Sequence, residues 1–454
     1  MLMTRDKSFY QTLMRLAIPI ALQSLLSYAI SFAGNLMVGK LGDVAISGVY
    51  MGGQPQSFLM MYVGGTNGAL LILASQYWGR NDVASIRKVI SVGAVFTIAP
   101  SILFTLASVL FPAQIIGLFT PDAAVVAEGA AYLRIVGWSY VLFAASQLLI
   151  SAMRGVETAK IGMYISFSAL IVNVLLSYVF IFGFLGVPAM GTRGAALATL
   201  VSRMVELVVA FIYVFAFDKK LNIKIRDFLL FDKILLRDFI RYGLPIIGGN
   251  FVWSVNMMAS TAILGRFDSE VIAAASVSGM LASLMMIWMD GLASAVGVIT
   301  GKTVGAGLYD RMKEYAKTVQ VIFISMGVFS GILIYFLKWP FISLYNITDY
   351  ARLYSAQFIN VLAVTTVGSC YQASCLFGLV KSGGDVSFVF KNDTIFVFGV
   401  VLPSAIIAAL LGAPPWIVFA CLKSDQIFKC VVAFVKINSF NWMKNLTRDN
   451  ASIA

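Results

Sequence analysis

Long, almost wholly apolar runs recur from one end of this chain to the other, separated by short polar breaks. A helix that crosses a bilayer needs about 20 predominantly apolar residues, and run after run reaches that length. Twelve spans are predicted, over 13–38, 46–78, 88–112, 122–153, 159–184, 192–217, 237–265, 270–304, 315–338, 350–380, 387–411 and 414–436. Apolar residues are continuous within each run and do not alternate, which is the pattern of helices and not of barrel strands. Several runs exceed the minimum, as tilted helices that extend past the hydrocarbon would.

Composition agrees. Of 454 residues, 60% are hydrophobic and 12% charged, with a mean hydropathy of +0.89. Soluble domains carry about 25% charged residues, so most of this surface must face lipid. The net charge of +12 would suggest nucleic acid in a soluble protein. Here the cations sit between the runs and read as topology, with no nucleic-acid partner. One set of loops holds Arg80, Arg87, Lys88, then Arg154 and Lys160, then Lys219 to Arg237, then Lys302, Arg311, Lys313, Lys317, Lys381, Lys391, Lys436, Lys444 and Arg448. The opposite loops around 113–121 and 412–415 hold no Lys or Arg. By the positive-inside rule both termini are cytoplasmic in a multi-pass protein of the plasma membrane. Met1 to Lys7 is short and polar, so the first run reads as a retained helix and not a cleaved leader.

There is no histidine, so no His relay and no His metal site are expected. Cys370, Cys375, Cys421 and Cys430 lie in or beside apolar runs and read as small buried residues. No phosphate loop and no large polar domain is present, so ATP is not the direct energy source. Neither an enzyme nor a cofactor is expected.

Arg15, Pro19 and Ile20 recur as Arg241, Pro245 and Ile246; Gly39, Gly53, Gly65 and Gly79 recur as Gly265, Gly279, Gly291 and Gly305, all at an offset of 226. Six spans per copy start both copies on the same side, a parallel repeat. The organisation expected is an N-terminal six-helix lobe (1–217), a cytoplasmic linker (218–236), a C-terminal six-helix lobe (237–437) and a cytoplasmic tail (438–454). The fold class is an all-α membrane protein with twelve transmembrane helices in two pseudo-symmetric six-helix lobes, and the chain reads as a monomer.

At this point the sequence resembles the multidrug and toxic compound extrusion (MATE) family over nearly its whole length. The resemblance rests on Met37-Val38-Gly39-Lys40-Leu41-Gly42, Ala74-Ser75-Gln76-Tyr77-Trp78-Gly79, Arg154-Gly155-Val156-Glu157-Thr158, Asn173, and Gly191-Thr192-Arg193-Gly194 with Ser202, Arg203 and Glu206. In the second half it rests on Leu244-Pro245, Gly301-Lys302-Thr303-Val304-Gly305 and Lys381-Ser382-Gly383-Gly384-Asp385. It implies two six-helix lobes forming a V and export of drug-like molecules driven by inward Na⁺ or H⁺. Many members carry acids where this chain has Gly34 and Ser177, positions that couple cations through the N-terminal lobe. That part of the family's mechanism does not transfer unchanged. Span seven also lacks the Glu of some members and has Asn250 and Asn256.

A carboxylate inside a bilayer costs several kcal/mol unless it has a partner, water or a role. Asp290 is the sharpest case: its repeat counterpart is Gly64, and no basic residue occurs between Arg266 and Lys302. It is the first candidate for cation coupling, against an Asp bonded locally or facing a wet wall. Arg203 with Glu206, and Asp425 with Lys429, are spaced to share helix faces and read as structural charge pairs. Glu206 stays open as a proton site, and Asp393 is open between structure and coupling. Asp385 reads as a helix cap. Candidates for the substrate cavity are Asn35, Asn67, Asn173, Ser177, Asn250, Trp253, Asn256, Met257, Met286, Met289 and Gln372. They belong to a Met- and Trp-rich group in spans seven and eight, with Asn, Ser and Gln side chains elsewhere; ordinary packing is the competing reading.

The sequence therefore predicts a secondary antiporter exporting drug-like organic molecules in exchange for H⁺ or Na⁺, working in drug resistance as a multidrug efflux protein. The alternative is an exporter or flippase of an anionic or lipid-linked metabolite. A membrane enzyme would need a catalytic cluster, and Asp385, Asp393 and Lys391 form no recognised one.

Overall fold

The computed structural model describes residues 3–184, 186–229, 232–345 and 347–448. The end of the expected tail, 449–454, and residues 230 and 231 of the expected linker lie outside the described residues. Among the described residues there is no strand. The first half contains α1 (Lys7–Gly39), α2 (Asp43–Gly79), α3 (Val83–Leu110), α4 (Pro112–Gly117), α5 (Ala123–Val136), α6 (Ser139–Gly155), α7 (Lys160–Phe182) and α8 (Thr192–Ile212). The second contains α9 (Lys233–Leu264), α10 (Ser269–Gly305), α11 (Tyr309–Ile342), α12 (Asp349–Ser374), α13 (Val386–Phe396), α14 (Leu402–Leu410), α15 (Pro415–Leu422) and α16 (Asp425–Asn438).

Nine helices among the described residues are long and apolar enough to cross a membrane, and α5 with α6, bent by 47°, make a tenth span. The two other spans are α9, whose apolar character Asn250 and Asn256 dilute, and the short pair α15 and α16. Span four is thus not the single rod expected from 122–153: it bends where the chain passes through Gly137 and Trp138. Span eleven keeps its direction through a π-helical turn, Val397–Val401, ahead of Pro403. Proline lacks the N–H that would close the regular ladder there.

The repeat is carried by the helices themselves. Lys7 and Lys233, Asp43 and Ser269, Val83 and Tyr309, Ala123 and Asp349, and Lys160 and Val386 open matching elements, each pair 226 residues apart. Backbone groups in lipid must be satisfied internally, and the helix starts are kept between the copies even where side chains and helix breaks have diverged.

The chain divides into two compact units: a C unit of residues 3–21 with 244–448, and an N unit of 22–243. The division falls inside α1 and α9, whereas the sequence boundaries were drawn at the polar loop. In the C unit the start of α1 is anchored by Tyr315, whose hydroxyl donates to the Asp6 carboxylate at 2.6 Å, and by Phe9 stacked on Tyr315 at 4.5 Å. The Tyr315 bond, followed by that from Ser8, holds the Asp6 carboxyl down at about 2. Gly291 of α10 meets α1 so closely that a Cβ there would stand 2.7 Å from the Ala21 side chain.

In the N unit the start of α9 packs in the matching way, with Phe239 stacked on Phe96 at 5.3 Å and Gly243 against Ala69. The segment expected to be a linker is folded onto this unit. Leu221 and Ile223 are buried, the Arg87 guanidinium donates to the Leu221 carbonyl at 2.8 Å, and Lys88 pairs with Asp232 at 3.2 Å. The start of the expected tail is likewise part of the C unit. Trp442 is fully buried over Gly383, and the Lys444 amide donates to the Gly383 carbonyl at 2.7 Å.

Candidate functional site

Residues three and four apart share a helix face. On α10 the exposed face reads Ser276, Gly279, Ser283, Met286 and Asp290. The exposed face of α11, by contrast, reads Val328, Phe329, Ile332, Tyr335 and Phe336. The second is a face for acyl chains. The first is small and polar, suited to water or solute. Asp290 stands exposed on it with no hydrogen bond or ion pair among the described residues. On α9, Trp253, Met257 and Thr261 are exposed along one face, and Asn250 is partly exposed on the same face. Asn256 lies on another side of that helix, its Oδ1 buried without a partner.

Two cavity candidates lie elsewhere. Met289, next to Asp290 in sequence, points to the opposite side and packs with Met326, Cys370 and Ala373 in the C-unit core. Gln372 is buried at 8% exposure. The structure therefore groups Asp290 with Met286 on one face and removes Met289 from it.

The copy of this face in the N unit is α2, with Tyr50, Gly53, Ser57, Met60 and Gly64 at the same offset. Three of the five residue types are retained, and neither Ser276 nor the carboxylate is. On α1, Ser27, Ser31 and Asn35 are exposed along one face beside Gly34, again with no acid. Asn67, Asn173 and Ser177 are buried inside the N unit. Asn173 donates to Ser202 at 3.2 Å, joining α7 to α8, while the Asn67 Oδ1 has no partner.

The other candidate acids are all engaged. Glu206, 1% exposed, is ion-paired to Arg203 on one oxygen and accepts from Ser146 and Gln147 at 3.2 and 3.1 Å on the other. Arg203 also lies 4.8 Å from the Phe143 ring centre. In the C unit, Lys429 pairs with Asp393 at 2.9 Å and Asp425 at 3.1 Å. Arg203 and Lys429 are 226 residues apart, so each unit keeps a cation at the same repeat position, half-buried in the N unit and buried in the C unit, and neutralises it differently.

Asp385 does not cap α13 with its side chain, contrary to expectation. Its carboxylate is taken by Lys436 at 2.7 Å and Lys444 at 2.8 Å, since two ammonium groups outcompete amide donors. Burial pushes this carboxyl up, but the bonds from Lys436 and Lys444 outweigh it and leave it below the ordinary carboxylate range.

Sequence reasoning paired Lys429 with Asp425 by spacing alone and missed Asp393, which lies 36 positions away. It also missed Ser146 and Gln147 as donors to Glu206. Neutral residues on a different helix leave no sequence signal for such a contact.

Comparison with known proteins follows the same geometry. The MatE family model matches residues 19–179 and 245–407. The chain is 24% identical over 417 residues to a protein named "Probable multidrug resistance protein YoeA" of Bacillus subtilis, covering 89% of each. It is 25% identical over 427 residues to a "Multidrug resistance protein NorM" of Vibrio vulnificus, covering 92% of this chain and 90% of that one. Among solved structures, the Vibrio cholerae MATE transporter VcmN in its bent form superposes with a TM-score of 0.85 at 14% identity, over 95% of this chain and 97% of that one. A Pyrococcus furiosus transporter of the MOP superfamily, described as having a binding pocket of reverse polarity, superposes with a TM-score of 0.82 at 16% identity, over 96% and 99%. These likenesses show the same twelve-helix, two-lobe fold.

Proposed function

This chain belongs to the MatE family of membrane transporters, and on that premise we propose that it is a secondary active antiporter that exports drug-like organic molecules in exchange for H⁺ or Na⁺, with Asp290 as its coupling group. The observation that carries this reading is the unpaired state of Asp290. Of the three candidate acids, Glu206 and Asp393 are each already neutralised by a cation, whereas Asp290 has none and stands on the polar face of α10. An ionisable group at membrane depth without a protein partner takes a proton, a cation or water. A cation bound there changes the free energy of one conformation of the C unit relative to another. A gradient of that cation can then bias the exchange between them.

Met286 on the same face as Asp290, and Trp253 and Met257 on the exposed face of α9, offer polarizable and aromatic surface to varied organic cations. The expected orientation has both termini in the cytoplasm and the protein as a monomer in the plasma membrane.

The test is transport in proteoliposomes carrying an imposed Na⁺ or pH gradient, read with a fluorescent organic cation. Wild type should accumulate the dye under one of the two gradients, and Asp290→Asn should not. Full uptake by the variant sinks the assignment of Asp290.

A second reading has one observation in its favour. The exposed polar faces of α1 and α2 hold no carboxylate, with Gly34 and Gly64 at the relevant places. Such a surface suits a neutral or anionic solute, including a lipid-linked metabolite. Movement of a labelled anionic lipid with no dye uptake under either gradient would select it.

A further inference from the structure

Away from Asp290, the N unit contains a pocket of about 560 Å³ that the transport reading does not use. It lies where α3 ends, α4 follows and α8 begins, and its walls include Leu110, Gln114, Ala130, Ala131, Arg134 and Arg193. Pockets for small ligands run from about 300 to 1,000 Å³, so this one has room for a solute the size of a lipid headgroup.

Two arginines share this one cavity. Both are exposed, and neither makes an ion pair, hydrogen bond or ring contact among the described residues. No acid lines the pocket. The acids nearest along α5 are engaged elsewhere. Asp122 accepts from the Ala124 amide at 2.9 Å as the helix cap, and Glu128 accepts from the Thr192 hydroxyl at 2.6 Å. Two like charges at one cavity repel unless an anion stands with them.

The bond from Thr192 to Glu128 sets α5 and α8 level with each other. Arg134 leaves α5 six residues further on, about 9 Å deeper. Side chains lean toward a helix N-terminus, which carries Arg134 back toward the height of Arg193. Snorkelling accounts for one arginine reaching the membrane boundary, but not for two lining the same acid-free cavity.

The pair is not part of the repeated scaffold. The C unit has Asn360 and Phe419 at the positions that match Arg134 and Arg193 by the offset of 226. Nor is this a side rich in cations, since the adjoining segment 113–121 holds no Lys or Arg. Guanidinium groups fit phosphate oxygens two at a time. Beside them Leu110, Phe111 and Leu118 are exposed apolar residues at the end of α3 and around α4. An occupant that carries both a phosphate and acyl chains meets both kinds of surface.

We propose that the pocket of Arg134 and Arg193 binds one phosphate group, carried by a glycerophospholipid of the adjoining leaflet. The two guanidinium groups hold its oxygens, and Gln114 supplies an uncharged donor to the headgroup. The site uses none of the residues assigned to coupling, so it stands or falls apart from the transport reading.

The test uses the full-length protein, delipidated in detergent. Native mass spectrometry counts bound dioleoylphosphatidylglycerol against dioleoylglycerol, which has the same chains and no phosphate, with inorganic phosphate added as a competitor. Wild type should retain one phospholipid and no dioleoylglycerol. Arg134→Gln combined with Arg193→Gln should weaken retention about tenfold. Both positions are exposed and unbonded, so the lipid-free variant should keep the wild-type Tm. Arg266→Gln removes an exposed arginine of the C unit and should bind as wild type does. Displacement by phosphate would show that the free ion also occupies the site, and its failure to displace would assign the site to the lipid alone. Equal retention by wild type and the double variant overturns the proposal, as does an equal loss in Arg266→Gln or equal retention of dioleoylglycerol.

Discussion

α2 and α10 are copies of one helix, with the same length and offset, and three of the five residues of the α10 face recur in α2, Tyr50 and Gly64 standing where α10 has Ser276 and Asp290. The N unit has Gly64 where the C unit has Asp290. Meanwhile the N unit buries its acid, Glu206, beneath an arginine and two neutral donors. Both copies thus hold ion-paired acids, and only the C unit adds an unpaired one, Asp290, on its small polar face. Side chains that set helix position are kept, and those that meet solvent are free to specialise. The largest expected effect follows. Asp290→Asn should remove gradient-driven transport altogether while leaving thermal stability unchanged, since no bond is lost. Glu206→Gln should keep a substantial share of transport. The reverse result, in transport assays on matched vesicles, would move coupling into the N unit.

The two paired cations sharpen the same contrast. Lys429 pairs with two carboxylates, Asp393 and Asp425, so Lys429→Met removes the ion-pair partner of both and should cost about 3–5 kcal/mol. Arg203→Met leaves Glu206 with Ser146 and Gln147 as donors and should cost clearly less. Unfolding of the two variants in the same detergent measures the difference; equal losses would mean the two sites are equivalent.

The twelve spans were legible because membrane solvation demands long apolar runs, and the repeat because glycine and proline positions survive duplication. Asp290 was legible because a charge in an apolar run is conspicuous. Two things were hidden. The side chain of Met289 points away from that of Asp290 although the two are adjacent, and only helix phase relative to the core decides this. The packing of 218–229 and 439–448 onto their units depends on buried residues such as Leu221 and Trp442, which in a polar stretch resemble ordinary loop apolars. The division of the chain inside α1 and α9 left no sequence mark, since both helices are continuous.

The helix starts that each unit takes from α1 or α9 meet different steric limits. A side chain at Gly291 would run into Ala21 and the Ala17 carbonyl, so Gly291→Leu should destabilise by about 1–3 kcal/mol. At Gly243, Ala69 stands at 3.3 Å. Gly243→Ala should therefore shift Tm by no more than a small fraction of the Gly291→Leu effect, and a comparable loss would show the N-unit contact to be just as tight.

The smallest effect concerns the segments that follow the last helix of each unit, clasped with opposite polarity. In the N unit the segment supplies the acid, Asp232, to Lys88 of α3. Burial raises that carboxyl, while the Leu235 amide and Lys88 pull it net below the usual range. In the C unit the segment supplies the cation, Lys444, to Asp385 at the start of α13, and that carboxyl is lowered too. A carboxyl held down in the folded state stabilises above its unfolded value, about 4, and loses the contribution as pH falls through the folded value. Lys444 is half exposed, so the clasp is worth only about 1 kcal/mol. Hydrogen exchange of 439–448, corrected for intrinsic rates, should be flat from pH 8 to about 4 and rise below it. In Asp385→Asn the same segment should exchange several-fold faster already at neutral pH, with 218–232 unaffected. A rise between pH 7 and 5 in the wild type would assign the clasp to a group other than Asp385.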